Sequence, residues 1–487
     1  MTEVDMRFDA RRLLLSLGIL LLASGTAVSQ DKAAAIESLL KRYQDVGAFN
    51  GTALVAENGK VIFKKGYGLA DFEWKIPNTP DTKFRLGSIT KQFTATLILQ
   101  LVDEGKLTLD TTLAKALPYY RQDTGARVTI HQLLSHTSGI PSYTSQPGFF
   151  RDVSRDPYEV KDFALKFCSG ELEFEPGSTF RYDNSGYFLL GAIIEQLTGK
   201  TYAEVLKERI LDPLGMRATG YDLAAPLLEK RARAYERSLL GVRNAAYLDM
   251  SLPFAAGSMY STVEDLYLWD QALYTEKVLP KGSKERMWKP NLEKYGYGWG
   301  IDTRPIGPGK VDRQTISHGG GINGFNTLIT RVPEDRQLVV LLNNTGGTNL
   351  DAMFTGIADI LYGRTPAPVK EPVAKTLYDT IEKSGMAAAA TRYRELKARS
   401  SSEFDLTESQ LNSLGYELLQ QKRTADAIEV FKLNVEAFPE SGNTYDSLGE
   451  AYMKAGQKEL AIKSYAKSLE LNPGNRNAVD QLATLTK

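Results

Sequence analysis

The run Phe84-Arg85-Leu86-Gly87-Ser88-Ile89-Thr90-Lys91 stands immediately before the apolar stretch Phe93 to Leu101. With Ser88 in the first turn of a helix, Lys91 falls on the same face one turn along, where its amine reaches the serine hydroxyl. A hydroxyl is a poor nucleophile until a neighbour takes its proton, and a helix N-terminus adds N–H donors where an oxyanion forms. The pair therefore reads as a nucleophile with its own base, the start of covalent catalysis. Spacing alone does not decide this. Ser29/Lys32, Ser38/Lys41 and Ser464/Lys467 repeat it in places where a solvated helix face or a processing site is explanation enough.

The company of Ser88 separates it from the other three. Glu175-Pro176-Gly177-Ser178-Thr179-Phe180-Arg181-Tyr182-Asp183-Asn184-Ser185-Gly186-Tyr187 carries a Tyr-x-Asn in a loop that opens a second apolar helix, Phe188 to Leu197. Ser317-His318-Gly319-Gly320-Gly321 follows a short polar strand and precedes the β-like run Phe325 to Thr330. A phenol for proton transfer, an amide to hold a lysine or a substrate, and a glycine-rich strand edge all suit acyl transfer. Each also has a plain alternative: Lys91 as a solvated helix lysine, Tyr182 as a packed ring, Asn184 as a helix N-cap, and Gly319 to Gly321 as a tight turn.

In this order, the segments make residues 49 to 362 resemble the serine hydrolases of the class C β-lactamase and D,D-peptidase family, which includes esterases. Leu133-Leu134-Ser135-His136-Thr137-Ser138-Gly139 and the run Ala256-Gly257-Ser258-Met259-Tyr260-Ser261-Thr262-Val263-Glu264-Asp265-Leu266 are similar to two further runs of that family. The resemblance implies Ser88 as the acylated nucleophile, Lys91 as its base or proton partner, and Tyr182 as the base for the deacylating water. It implies that Asn184 positions Lys91 and the substrate amide, and that the N–H groups of Ser88 and Gly321 form the oxyanion hole. His318, Gly319 and Gly320 would line the substrate. Where many relatives have Lys-Thr-Gly, this chain has His318-Gly319-Gly320. The family uses that place partly to hold a substrate carboxylate, and a histidine is mostly uncharged at neutral pH. Esters or small D-amino-acid amides are accordingly expected ahead of β-lactams.

Elements that position these residues follow from pattern. A helix is expected over Ala33 to Val46. Strands are expected at Gly51 to Ala56, Val61 to Tyr67, Thr315 to His318, Phe325 to Arg331 and Gln337 to Asn343, with an Asn58-Gly59 hairpin. Strands from both ends of the region must share one antiparallel sheet, with the helices of residues 90 to 290 packed to one side: an α+β fold of the β-lactamase and penicillin-binding-protein type. His131 and His136, five apart, would point about 140° apart on one helix and could not share a metal. No cofactor or metal is expected.

The 487 residues are 42% hydrophobic, and 59 Lys and Arg balance 59 Asp and Glu, which gives no reason to expect nucleic acid. The single Cys168 can form no internal disulfide. Arg7, Arg11 and Arg12 precede Leu13 to Ala23, and Ala27-Val28-Ser29 offers small residues, so residues 1–29 read as a signal peptide and the protein as periplasmic or secreted, without an anchor after cleavage. A hydrolase domain over 31–363 is followed by a Pro-containing linker with helices over 364–404. In 405–487, Leu411, Leu414, Gly415, Leu418, Ala427, Phe431 and Pro439 recur as Tyr445, Leu448, Gly449, Tyr452, Ala461, Tyr465 and Pro473, offset by 34 residues. That is the period and residue pattern of tetratricopeptide repeats, closed by a capping helix over Asn477 to Thr486. The whole reads as an exported serine hydrolase taking a small molecule or short peptide, with the repeats as a packing element or a peptide-binding surface. The alternative is a non-hydrolytic ligand sensor whose repeats are its output.

Overall fold

The structure is a computed structural model that describes residues 31–486. The expected leader over 1–29 lies outside the described residues. The chain forms two compact units. One runs to Pro366, apart from Arg237–Val242, and the other holds that short stretch and Ala367 onward.

The first unit opens with helix α1 over 31–45, then strands β1 (Gly51–Glu57) and β2 (Lys60–Tyr67). Asn58 and Gly59 turn between them with φ 52° and 72°, the paired left-handed residues that a two-residue hairpin needs. The helices of the following lobe include α2 (Thr90–Asp103), α3 (Asn184–Thr198) and α4 (Val263–Leu273). The chain then returns as β3 (Gly300–Arg304), β4 (Arg313–Ile322), β5 (Phe325–Val332) and β6 (Gln337–Asn343). These make one sheet in the order β3-β4-β5-β6-β1-β2, antiparallel at every step. The first and last strands of this sheet in chain order thus meet at β1 and β6, with Gly51 opposite Asn343.

β6 is buried along its whole length, which a sheet covered on one face does not allow. Leu338, Val340 and Leu342 join Phe93, Leu97 and Trp269 in the core of the helical lobe. Their alternates Val339 and Leu341 are buried outside that core. On their face lies helix α5 (Leu350–Leu361), and a Cβ on its Gly356 would come within 2.9 Å of Leu39 of α1. The expected lobe on one face is present. The covering of the other face by α1 and α5 was not foreseen, although Gly346-Gly347 and the N-cap Asn349 mark the start of α5.

In the second unit, α6 (Val373–Ser384) and α7 (Met386–Ala398) form a hairpin at Gly385. After it come α8 (Glu408–Gln420), α9 (Thr424–Ala437), α10 (Gly442–Lys454), α11 (Lys458–Leu471) and α12 (Arg476–Leu485). One apolar core runs from Val373 to Ala478, so the first hairpin belongs with the repeats. The recurring glycines have a common cause: a Cβ on Gly415 would sit 2.5 Å from the Phe431 ring, and one on Gly449 would sit 3.0 Å from the Tyr465 ring. Among the described residues no helix is long and apolar enough to cross a membrane.

Candidate active site

Ser88 lies in a 3-10 turn, Gly87–Ile89, that runs directly into α2. Gly87 takes φ 56° there, a conformation that glycine adopts without a Cβ penalty. The turn is held against the sheet: Thr327 Oγ1 donates to Leu86 O at 2.7 Å. A Cβ on Gly320 would stand 1.9 Å from that same oxygen, and one on Gly87 would stand 3.0 Å from Gly321 N. The glycines of β4 are therefore strand residues paired with Leu328, Thr327 and Asn326, so the strand is longer than expected, and Gly320 is glycine because the serine turn packs on it. β3 leaves β4 after Ser317, so this end of β4 has no strand on its outer side.

Lys91 is fully buried. Its Nζ is 3.0 Å from Ser88 Oγ, 2.8 Å from Asn184 Oδ1 and 3.0 Å from Ala256 O. Two of these three neighbours can only accept. An ammonium would need a third acceptor in Ser88, whereas a neutral amine spends two N–H groups on Asn184 and Ala256 and turns its lone pair to the serine hydroxyl. Burial favours the second state and lowers Lys91 to about 7, with Asp183 opposing the fall.

Asn184 is the first residue of α3, and its neighbour Asp183, not Asn184 itself, is the N-cap, accepting from Gly186 N. Asn184 is clamped by its own donors: N–H to Ser142 Oγ at 3.1 Å and Nδ2 to Thr144 Oγ1 at 3.1 Å. The Tyr182 ring lies 4.9 Å from Lys91 Nζ. Its surface is 38% exposed, but the hydroxyl end is enclosed, and burial pushes its pKa up while its interaction with Ser88 works the other way. His318 faces Tyr182 with ring centroids 6.1 Å apart. Its Nδ1 lies 2.6 Å from Gly319 O, which can only accept, so Nδ1 carries the hydrogen and Nε2 accepts from the Tyr295 hydroxyl at 2.8 Å. Burial, then the nearness of Lys91, holds His318 down to about 3. The imidazole is neutral, and neither nitrogen is left for a substrate.

The other two histidines do not share a helix. His131 is on the short helix Ile130–Leu134 and meets the Tyr297 hydroxyl at 2.8 Å. His136 lies beyond its end with φ 56°, so helical periodicity was the wrong rule for the pair. Its Nδ1 accepts from Asp183 N at 3.2 Å, and its carbonyl accepts from Arg181 N at 2.9 Å, so this histidine satisfies loop backbone.

A cavity of about 120 Å³ opens at Ser88, walled by Phe149, Phe150, Leu248, Leu252 and Ile322. No Asp, Glu, Lys or Arg lines it among the described residues. These walls, Thr144 and the Ala256 carbonyl escaped sequence reasoning. A carbonyl leaves no side-chain signature, and the apolar residues come from separate places: Phe149 and Phe150 from a short helical segment, Leu248 and Leu252 from irregular chain, and Ile322 from the end of β4.

A family model described as Beta-lactamase matches residues 33–363. The chain belongs to the beta-lactamase family. Its second unit carries a match to the tetratricopeptide repeat over residues 442–475. A penicillin-binding protein of Bacillus subtilis (strain 168) is 30% identical over 340 residues, which is 65% of this chain and 73% of that protein. Two solved structures are also similar. A penicillin-binding protein from Bacillus halodurans is 29% identical with a TM-score of 0.57, covering 66% of this chain and 99% of that one. A D-stereospecific amidohydrolase from Streptomyces sp. is 29% identical with a TM-score of 0.56, covering 66% and 98%. The Ser88, Tyr182 and His318 segments all fall within the stretch that matches the beta-lactamase family.

Proposed function

We propose that the chain is a serine hydrolase that works through an acyl-enzyme on small neutral esters or D-amino-acid amides with an apolar acyl group. The observation that carries this reading is the buried Lys91, whose two obligate acceptors leave its lone pair facing Ser88 Oγ. Ser88 attacks the carbonyl while its proton passes to Lys91, and the N–H groups of Ser88 and Gly321 receive the oxyanion. Lys91 then returns the proton to the departing alcohol or amine. In deacylation, water attacks the acyl carbonyl and its proton goes to Lys91 by way of the Tyr182 hydroxyl. The bond from Ser88 Oγ to the acyl carbon then breaks, the acid departs, and Lys91 returns the proton to Ser88 Oγ. With its pKa raised, Tyr182 serves as a neutral relay between the water and the amine.

The wall of the cavity supports the choice of substrate. Its volume is a little below the roughly 150 Å³ that holds a benzene in an engineered protein cavity, and its lining offers no charge. His318, with both nitrogens engaged, gives a substrate carboxylate no charge-assisted partner, so carboxylate-bearing β-lactams are expected to bind weakly. The likeness to a D-stereospecific amidohydrolase supports the amide half of the reading. Export through the leader at 1–29 and a peptide-binding role for the repeats complete the proposal.

Fluorophosphonate labelling followed by peptide mass spectrometry tests it, together with a panel of neutral and charged acyl esters. Adduct at Ser88 and faster turnover of neutral apolar esters are expected. A folded protein that acquires no adduct at Ser88 would favour the sensor alternative.

A further inference from the structure

Resting on the hydrolase reading, we propose that the buried Asp183 carboxylate is a positioning residue that sets the charge of Lys91, with His136 as its brace. Asp183 is 2% exposed and precedes Asn184, whose Oδ1 accepts from Lys91 at 2.8 Å. One carboxylate oxygen takes the Gly186 N–H at the start of α3. The other lies 3.3 Å from His136 Nδ1, and that nitrogen is also 3.2 Å from Asp183 N. His136 is itself fully buried and packs its ring 4.3 Å from that of Tyr182.

The cap alone does not explain an aspartate. Asn and Ser cap a helix about as well and bring no charge into the interior. A buried carboxylate is costly unless a cation answers it, and among the described residues no Lys or Arg lies within ion-pair distance of Asp183. The groups around it are uncharged at neutral pH. Burial holds His136 and His318 below the ordinary imidazole. It raises Tyr143, Tyr182, Tyr187 and Tyr295 above the ordinary phenol and Cys168 above the ordinary thiol. Asp183 and Lys91 remain as the charges that answer each other. Burial alone would weaken Lys91 as a base, and the carboxylate restores proton affinity without exposing the amine to water. Because it acts through Lys91 and touches no substrate, its effect belongs in the pH profile.

The test compares wild type with Asp183→Asn and Asp183→Ser, both of which keep an N-cap. The full chain is labelled with 13C at lysine Cε, and the Lys91 resonance, assigned by its loss in Lys91→Met, is titrated by NMR. Removing the anion withdraws support from the ammonium, so the Lys91 midpoint is expected to fall by about half a pH unit or more. The acid limb of fluorophosphonate labelling at Ser88 should move to lower pH with it. An unchanged midpoint in folded variants would overturn the proposal and leave Asp183 as a cap. Unfolding of both variants would also overturn it, by making the carboxylate a requirement of the fold. A Lys91 that titrates as expected in a protein whose Ser88 takes no adduct would remove the hydrolase reading and leave this one standing.

Discussion

Ser88/Lys91 and Ser464/Lys467 have the same residue types at the same helical spacing, one pair in each unit, and opposite surroundings. Lys91 is buried among three polar partners and pulled down to about 7 by desolvation. Lys467 stands in solvent, where a hydrogen bond to Glu470 raises it. A third pair, Ser38/Lys41, is also on the surface, with Lys41 paired to Asp45. What distinguishes a base from a solvated lysine here is the enclosure built by residues far away in sequence: Asn184 from α3 and Ala256 from the short helix Phe254–Gly257. The spacing brings serine and lysine together, and tertiary packing gives the amine its chemistry.

Breaking the first pair should have the largest effects. Ser88→Ala removes the attacking oxygen and little volume, so fluorophosphonate labelling and ester turnover should fall on the order of 10⁴-fold or more while thermal melting stays near wild type. Residual labelling at the wild-type rate would mean another nucleophile. Lys91→Met fills the same space without a base and should cost more than about 100-fold in the acylation rate. If Lys91→Met still acylates within a few-fold of wild type, the proton goes elsewhere and Tyr182 is the first candidate.

The pH profile sharpens the contrast. Lys91 is active as the neutral amine, and its pKa near 7 lies below the ordinary lysine value, so acylation should rise with pH and level off above about 7. Below that limb each pH unit costs about ten-fold, because the neutral fraction falls in proportion. An acid limb well away from 7, measured on single-turnover labelling of Ser88, would show that another group controls the step.

The contrast also explains how much could be read from the chain alone. Strand patterns and the Asn58-Gly59 turn pointed to five of the six sheet strands and missed β3 (Gly300–Arg304), and the 34-residue offset pointed to the repeats. Ser88, Lys91, Tyr182 and Asn184 were found from residue types in order, and the structure brings them around one amine. The role of His318 needed Tyr295 and Gly319 O, partners that no spacing reveals. Gly320 was read as room for a substrate, yet the nearest atom to its missing side chain is Leu86 O of the serine turn. The helix rule applied to His131 and His136 failed because a left-handed residue at His136 ends the helix between them. α5 and the cavity wall were missed because their meaning comes from what they cover.

In the second unit the glycines offer a test of packing apart from chemistry. Gly415→Ala gains about 1 kcal/mol of helix propensity, but its Cβ would sit 2.5 Å from the buried Phe431 ring, and overpacking of this kind costs roughly 1–3 kcal/mol. The steric term is the larger, so the melting temperature of the repeats should fall while ester turnover is retained. A rise in melting temperature would mean that the ring moves aside freely and that the repeat pattern is not set by this contact.

The smallest effect is expected at Lys467→Met, and its smallness is what makes it useful. The substitution is the same as at Lys91, at the same spacing from a serine, on a helix of similar length. Lys467 holds Glu470 through an exposed i,i+3 pair, an interaction weak in water and screened by salt. Ester turnover, its pH profile and the melting temperature should all match wild type at moderate ionic strength. A loss of acylation in this variant would contradict the view that enclosure confers the chemistry, since Lys467 is only half-buried and makes a surface pair. A loss confined to binding of a peptide, with acylation intact, would instead place Lys467 on a recognition surface of the repeats. Measured beside Lys91→Met, the variant isolates enclosure from spacing, which the two sites share.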